Sequence, residues 1–321
     1  MISVTLQTDD AQVRQDVPLA DISDIVARKS DVLWVDVGNP TPEDARVLAE
    51  EFAFHPLAIE DAIRYQQRPK VDLYDDFVFI VFYALRMDDD EVATTQVSLF
   101  VGQNYVVTVH TGSVPELDST RDRWCANAVR LGNRGVGLLV HAILDAIVDG
   151  YFPVIDALSD RVEDLEEQIF ERGGQEAQRE LFRLKKELLE IRRVIAPERD
   201  AVNVLLRRDS PVFDDETTAY LQDVYDHILR TVDAVDIYRD LISSALDAYL
   251  SVTSNRLNQV MKTLTASSII LMSVTLVASI YGMNFDVIPE LHWRLGYAWA
   301  LGLMIIIGGA LFALFRRIDW L

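Results

Sequence analysis

Hydrophobic and polar positions follow three rhythms along this chain, and each rhythm marks a region. Over the first 135 residues, period-two runs alternate with amphipathic ones. Residues 2–6 and 32–37 read as strands, and Pro42–Phe52 and 56–66 as helices. A β-rich block comes next, "FVFIVFYAL" (77–85) and then "TTQVSLFVGQNYVVTVHTG" (94–112). In the latter, two alternating runs flank Gly102-Gln103-Asn104, a hairpin turn signal. Residues 118–131 look helical. Segment 1–135 is therefore expected to form an α/β or α+β domain.

From Val136 the rhythm is helical throughout. Residues 136–208 predict a helical hairpin broken at Gly173-Gly174. Its second arm carries Glu and Lys/Arg at spacings of three and four, which favours an exposed helix. The first arm carries Asp156, Asp160, Glu163, Asp164, Glu166 and Glu167, either a solvated face or a cation-attracting one. Between Pro211 and Gly282 there is neither glycine nor proline. About 70 helix-compatible residues at about 1.5 Å each make a rod of roughly 100 Å. Coiled coils and membrane stalks reach such lengths. A stalk helix is expected over 209–262, running without a break into an apolar segment.

The third rhythm is unbroken apolarity. Residues 263–284 and 295–315 contain no Asp, Glu, Lys, Arg or His. About 20 apolar residues cross a bilayer core, so two spans are predicted, joined by the loop 285–294 and closed by a basic tail, 316–321. Arg256 and Lys262 precede the first span, and Arg316 and Arg317 come after the second. The loop has Arg294, offset by Asp286 and Glu290, so both termini are expected in the cytoplasm of a cell-membrane protein. No apolar run near Met1 suggests a cleavable signal.

One face of the rod stands out. Steps of four and three from Asp247 give Ser251, Ser254, Asn258, Met261, Thr265, Ser268, Met272, Thr275, Ser279 and Gly282. That is the seam of a 3.5-residue repeat, which faces partner helices in a bundle. A stable coiled coil would place Leu, Ile or Val there. Small seam residues allow close packing of membrane helices, but packing needs only a few of them; a seam this long without Leu, Ile or Val favours a water-filled path in a ring of identical helices. Met261 and Met272 would be its apolar constrictions. Upstream, Asp226, Asp233, Asp240 and Asp247 share the register and would form carboxylate rings leading to the inner mouth.

Charge sharpens this picture. The formal net charge is −21 over 321 residues, which argues against nucleic acid and points to cations. A single cysteine, Cys125, excludes an intrachain disulfide and suits a reducing compartment. "GNRGVG" (132–137) lacks the spacing and the Lys-Ser/Thr of a phosphate-binding loop. No nucleophile–base pair stands out, so neither an enzyme nor an organic cofactor is expected.

The turn "YGMN" closing the first span, followed by "FDVIPEL" and a second span ending "FRRIDWL", resembles the CorA family of magnesium transporters. The likeness continues in "QRPKVD" (67–72), "QDVYDHI" (222–228) and "LDAYLSVTSNRLNQVMKTLT" (246–265), and so covers nearly the whole chain. It implies a funnel-shaped homopentamer in the lipid bilayer, the first span lining one central pore. Gly282, Met283 and Asn284 would form the external mouth, where neutral amides meet the water shell that Mg²⁺ sheds reluctantly. Asp286 and Glu290 of the loop would concentrate cations there, or simply keep the loop soluble. The pore-facing positions carried over are Asn258, Met261, Leu264, Met272 and Thr275, with Asp247 at the inner mouth. All but Leu264 lie on the seam.

The resemblance further implies regulatory Mg²⁺ sites between subunits. The matching positions are Glu60 and Asp61 in "IEDAI", Asp223 and His227 in "DVYDHI", and Asp145 in "ILDAIVDGY". High internal Mg²⁺ would bridge subunits and close the funnel; falling Mg²⁺ would let like charges part. Co²⁺ and Ni²⁺ are expected surrogates for Mg²⁺. A Zn²⁺ carrier of the same superfamily would call for imidazole or thiolate along the route, yet only His292 lies near the outer mouth. A membrane-anchored Mg²⁺ sensor is the other alternative, with no need of a polar seam through the bilayer.

Overall fold

The computed structural model describes residues 2–10, 12–15, 17–64, 67–131, 135–171, 175–207, 212–284 and 288–321. The chain divides into two compact units, Met1–Glu167 with Arg179–Ser244, and Gln168–Gln178 with Ala245–Leu321.

The first unit is built on a seven-stranded sheet in the order β2-β1-β3-β7-β6-β5-β4. The strands are β1 (Ile2–Gln7), β2 (Val13–Gln15), β3 (Val32–Gly38), β4 (Lys70–Leu73), β5 (Val78–Asp88), β6 (Glu91–Val101) and β7 (Tyr105–His110). The expected hairpin is β6–β7, with Val101 opposite Val106. Gly102 is required in its turn, because a Cβ there would lie 2.3 Å from the Tyr105 ring. β3 and β7 run parallel, so the β-rich block is inserted beside β3 rather than added to its end.

Helices cover both faces. Below lie α1 (Ile22–Arg28), α2 (Pro42–Phe52) and α3 (Pro56–Ile63), whose Ile22, Leu48, Phe52 and Ala58 join Val35, Val37, Phe79, Phe100 and Val107 in one core. α2 starts where expected, with a Thr41–Asp44 capping box. α3 stops at Ile63, because Arg64 turns to extended geometry; 65 and 66, the end of the expected helix, lie outside the described residues. Above lie α4 (Pro115–Leu131), which begins at Pro115 rather than 118, and α5 (Gly135–Asp149). Proline at a first helical turn gives up no hydrogen bond, which explains the earlier start.

α6 (Tyr151–Glu171) and α7 (Gln175–Arg207) are the arms of the predicted hairpin; Gly173 and Gly174 lie outside the described residues. Arg161 on α6 reaches Glu180 at 2.8 Å and Glu187 at 2.7 Å on α7. Glu198 on α7 is fully buried and accepts from the Tyr83 backbone amide at 2.8 Å. The Tyr151 hydroxyl lies 2.6 Å from the Tyr83 carbonyl and 2.9 Å from Glu198 Oε2. One hydroxyl proton cannot serve two acceptors, so the ring closes when Glu198 carries a proton itself. Burial drives the Glu198 carboxyl well above its ordinary range, overriding the hydrogen bonds from Tyr151 and Tyr83 that favour the charged form.

α8 (Asp215–Tyr281) is a single helix of 67 residues, and α9 (Gly296–Arg317) has 22, about 33 Å of helix. In the second unit, Ala266 and Val277 of α8 are buried, and a Cβ on Gly308 of α9 would meet Val274 at 3.5 Å. α9 ends in a Schellman motif. Asp319 takes the left-handed conformation at φ 55°, the Trp320 amide donates to the Phe315 carbonyl at 2.9 Å, and the two rings stack at 5.7 Å. The Thr263 hydroxyl donates to the Trp320 carbonyl at 3.2 Å, tying that cap to α8. At the other end Gly296 is obligatory, since a Cβ would sit 2.1 Å from the Glu290 carbonyl.

Among the described residues three helical stretches are long and apolar enough to cross a membrane. The window in Gly135–Ile169 is 56 % buried within the chain, with Val140, Ile143, Leu144 and Ile147 packed away from solvent. Those in α8 and α9 are 11 % buried. The first is a core helix; only the other two leave their apolar surface to be covered by something else.

Candidate functional site

Every seam position of α8 from Asp247 to Gly282 is exposed. Met272 is 71 % exposed and Met261 54 %, large values for apolar side chains. Leu264, next to the seam, is likewise open at 60 %. α9 approaches other positions, with Gly308 beside Val274 and the Trp320 carbonyl bonded to Thr263, and the seam side chains stay exposed. A cavity of about 520 Å³ lies along its lower part, lined by Asn255, Asn258, Gln259, Met261, Lys262, Thr265 and Trp320. Upstream on the same helix Asp226, Asp233 and Asp240 are also exposed; Asp226 accepts from Gln222, and Asp240 pairs with Arg239.

The polarity of the seam has a direction. The Thr275 hydroxyl donates to the Leu271 carbonyl of its own helix at 2.8 Å. Its one proton is thereby used, and what it turns outward is lone pairs. Lone pairs turned outward at Thr275 suit the protons of water around a cation.

At the far end, the Gly282 amide donates to the Ala278 carbonyl at 3.0 Å and the Met283 amide to Ile280 at 3.3 Å. The helix therefore winds down over the Gly-Met-Asn triplet, and Asn284 comes next, exposed. Asp286 lies outside the described residues. Glu290 is half-buried, with its carbonyl accepting from the Trp293 amide at 3.2 Å. Trp293, Tyr297 and Trp299 are exposed around the start of α9, and Arg316, Arg317 and Trp320 mark its end, the aromatic and basic flanks of a spanning helix.

The second group of expected residues divides. Asp145, on α5, and His227, on α8, come together with Asp149, which sequence reasoning missed; one ligand atom from each lies within 4.8 Å of the others. Asp149 was readable by spacing, four residues after Asp145 and so on the same helical face, but its meeting with His227 needs the crossing of α5 and α8. Asp223 stands 3.9 Å from His227 Nε2. Burial lifts the Asp145 carboxyl above its usual range; His141 and His227 draw it back, and Asp149 and Asp223 raise it again. His227 Nδ1 is buried with no hydrogen-bond partner, and Asp149 Oδ1 at 3.9 Å is beyond hydrogen-bond reach. Opposed ligands of Mg²⁺ stand about 4.2 Å apart, so these carboxylates fit a cation held partly through its own water.

Glu60 and Asp61 are not in that group. They sit on α3 and are paired within the chain, Glu60 with Arg64, and Asp61 with Lys70 at 2.8 Å. Lys70 also reaches Asp72 at 2.5 Å. Burial pulls the Lys70 ammonium down, but its bonds to Asp61 and Asp72 prevail and hold it above the ordinary lysine range.

Residues 29–317 match the profile of a family described as "CorA-like Mg2+ transporter protein". The chain is 38 % identical over 312 residues to YfjQ of Bacillus subtilis, covering 96 % of this chain and 95 % of that one. It is 35 % identical over 291 residues to the "Cobalt/magnesium transport protein CorA" of Thermotoga maritima, covering 90 % of this chain and 83 % of the relative. Its fold matches "The complete structure of CorA magnesium transporter from Methanocaldococcus jannaschii" with a TM-score of 0.86 over 99 % of this chain and 98 % of that one, at 23 % identity.

Proposed function

The chain belongs to the CorA family and is a membrane transporter of divalent cations rather than an enzyme, and from that premise we propose that it conducts Mg²⁺, with Co²⁺ as a second substrate, into the cell through a ring of its own α8 helices. The observation that carries this reading is the exposed polar seam from Asp247 to Gly282. Its hydroxyls, amide and thioethers are neutral within the bilayer, which lets a hydrated cation pass without being trapped. Imidazole and thiolate are absent from the seam, which favours Mg²⁺ over Zn²⁺.

In this reading five copies surround the path. Asn284 receives the hydrated ion at the outer mouth, Met272, Leu264 and Met261 form apolar constrictions, and Asp247 draws the ion out at the inner mouth. Glu290 helps to collect cations outside. Both termini face the cytoplasm of the cell membrane, in keeping with Lys262, Arg316 and Arg317 on one side of the two spans. The membrane potential supplies about 2.3 kcal/mol per charge per 100 mV, twice that for a divalent ion, so no chemical fuel is required. Internal Mg²⁺ closes the path by binding Asp145, Asp149 and Asp223, with His227 touching it through water and Glu60 and Asp61 reaching it from a neighbouring copy.

The test is Mg²⁺ entry into proteoliposomes holding an indicator, under an inside-negative potential. Wild type should take up Mg²⁺, and Asn284→Ala, still assembled, should lose at least about 90 % of that flux, a tenfold change per 1.4 kcal/mol of lost binding. A correctly assembled wild type that passes no Mg²⁺ when internal Mg²⁺ is low would leave a sensor in place of a transporter.

A further inference from the structure

Two basic side chains hold the acids of α3, and they are not equivalent. Arg64, which pairs with Glu60, is 74 % exposed and hangs from the end of the helix; such a pair contributes little. Lys70 is built in. It opens β4 with its Cα in register with Val81, and its ammonium lies 5.8 Å from the centroid of the buried Phe79 ring. Lys70 and Asp72 are two residues apart on one strand and therefore point to the same face. The other partner is fixed from behind. Gln96, buried on β6, donates to the Asp61 carbonyl at 3.1 Å and accepts from the Gln67 amide at 3.1 Å, while the Tyr83 hydroxyl donates to the Gln67 carbonyl at 2.6 Å. One ammonium is thus held between two carboxylates, on backbones that a buried polar network keeps in place.

We propose that Lys70 is a tethered competitor of the regulatory cation: its ammonium occupies Asp61 in the Mg²⁺-free protein and withdraws to Asp72 when Mg²⁺ takes Asp61. The inference rests on the regulatory role proposed above for Asp61. Its physical basis is simple exchange. A carboxylate that already has a cation gains less from a second one, so Lys70 sets the threshold at which Mg²⁺ acts, and Asp72 keeps the displaced ammonium paired. Without Asp72 the ammonium would be released uncompensated and would hold Asp61 more tightly.

The experiment is protection of the full-length protein from proteinase K as Mg²⁺ is raised, with calorimetric titration of Mg²⁺ alongside. Lys70→Met, which keeps the stem over Phe79, should lower the half-protecting Mg²⁺ about two- to fivefold, the reach of one partly exposed ion pair. Lys70→Gln gives the same shift should the Met variant be unstable. Lys29→Met removes the same charge from the end of α1 and should change nothing. Asp72→Asn should raise the half-protecting Mg²⁺ in the wild-type background and lose that effect in the Lys70→Met background. A Lys70→Met curve that coincides with wild type, or an Asp72→Asn effect that persists without Lys70, overturns the proposal while leaving Asp61 a ligand. If Asp61→Asn fails to raise the half-protecting Mg²⁺, Asp61 is no ligand, and the regulatory reading falls together with its competitor.

Discussion

The two halves of α8 are both rich in apolar residues and dispose of them in opposite ways. Up to Ser244, Leu221, Val224, Ile228, Val232, Val235 and Ile242 recur at helical spacing and are buried by the first unit. Beyond it Leu250, Leu257, Leu264 and Leu271 recur every seven residues and are 55 %, 65 %, 60 % and 67 % exposed. The same helix is amphipathic towards its own chain in one half and turned outward in the other. Hydropathy alone does not separate these cases, as the stretch Gly135–Ile169 demonstrates: it is long and apolar enough to span and is nonetheless packed into the core. What separates them is whether the rest of the chain supplies the cover. Where it does not, lipid and further copies of the chain must, and the polar seam alone is left for water and ions.

The comparison can be broken most directly by equal truncations in each half. Ile228→Ala should cost the first unit about 2–5 kcal/mol, the usual loss for a buried aliphatic. Leu271→Ala should move the same unfolding transition by less than about 0.5 kcal/mol. Denaturant titration followed through Trp34 and Trp124 fluorescence, in a background with Trp293, Trp299 and Trp320 changed to Phe, measures both, and equal losses would erase the distinction.

A second, smaller effect uses pH as the discriminating variable. The Glu198 carboxyl is raised in the folded state, so the stability it contributes is full below the unfolded value near 4.5 and is lost as pH climbs through the folded value. The first unit should therefore weaken steadily from about pH 5 upward, while residues 263–281 of α8, which include no Asp, Glu, Lys, Arg or His, should not respond. Glu198→Gln preserves both hydrogen bonds without a titrating proton. Its advantage over wild type in thermal midpoint should be negligible near pH 4 and widen with each unit above it; a constant gap would show that Glu198 is charged.

The smallest effect belongs to the end of α9. Asp319 sits at φ 55°, where glycine is free of strain. Asp319→Gly should stabilise the second unit by about 1 kcal/mol and leave the Trp34-reported transition unmoved. A shift in both would mean that the two units unfold together.

Much of this architecture was legible in the residues. The β6–β7 hairpin announced itself through Gly102-Gln103-Asn104, and the 67-residue helix through the lack of glycine and proline. The seam was legible because period is a local property. The parallel pairing of β3 with β7 was not, since nothing in either strand specifies a neighbour some 70 residues away. For the same reason Asp149 was passed over until α5 and α8 crossed, and the bond between Asp61 and Lys70 was hidden although only nine residues separate them. Glu198 reads as one acid among many on a charged helix; only the fold reveals that it is sealed beneath Tyr83 and Tyr151.

The continuity of α8 has a mechanical consequence. Proteins bend where a few residues can change φ and ψ, and between Asp215 and Tyr281 the helix offers no glycine, no proline and no break. Such a beam has no joint: it can tilt, or turn about its own axis, but it cannot fold. A turn of about 20°, the drift a straight helix accumulates per heptad, already carries a side chain from the middle of a seam towards its edge. The first residue without a side chain after Asp215 is Gly282, and it stands where the helical hydrogen bonds run out.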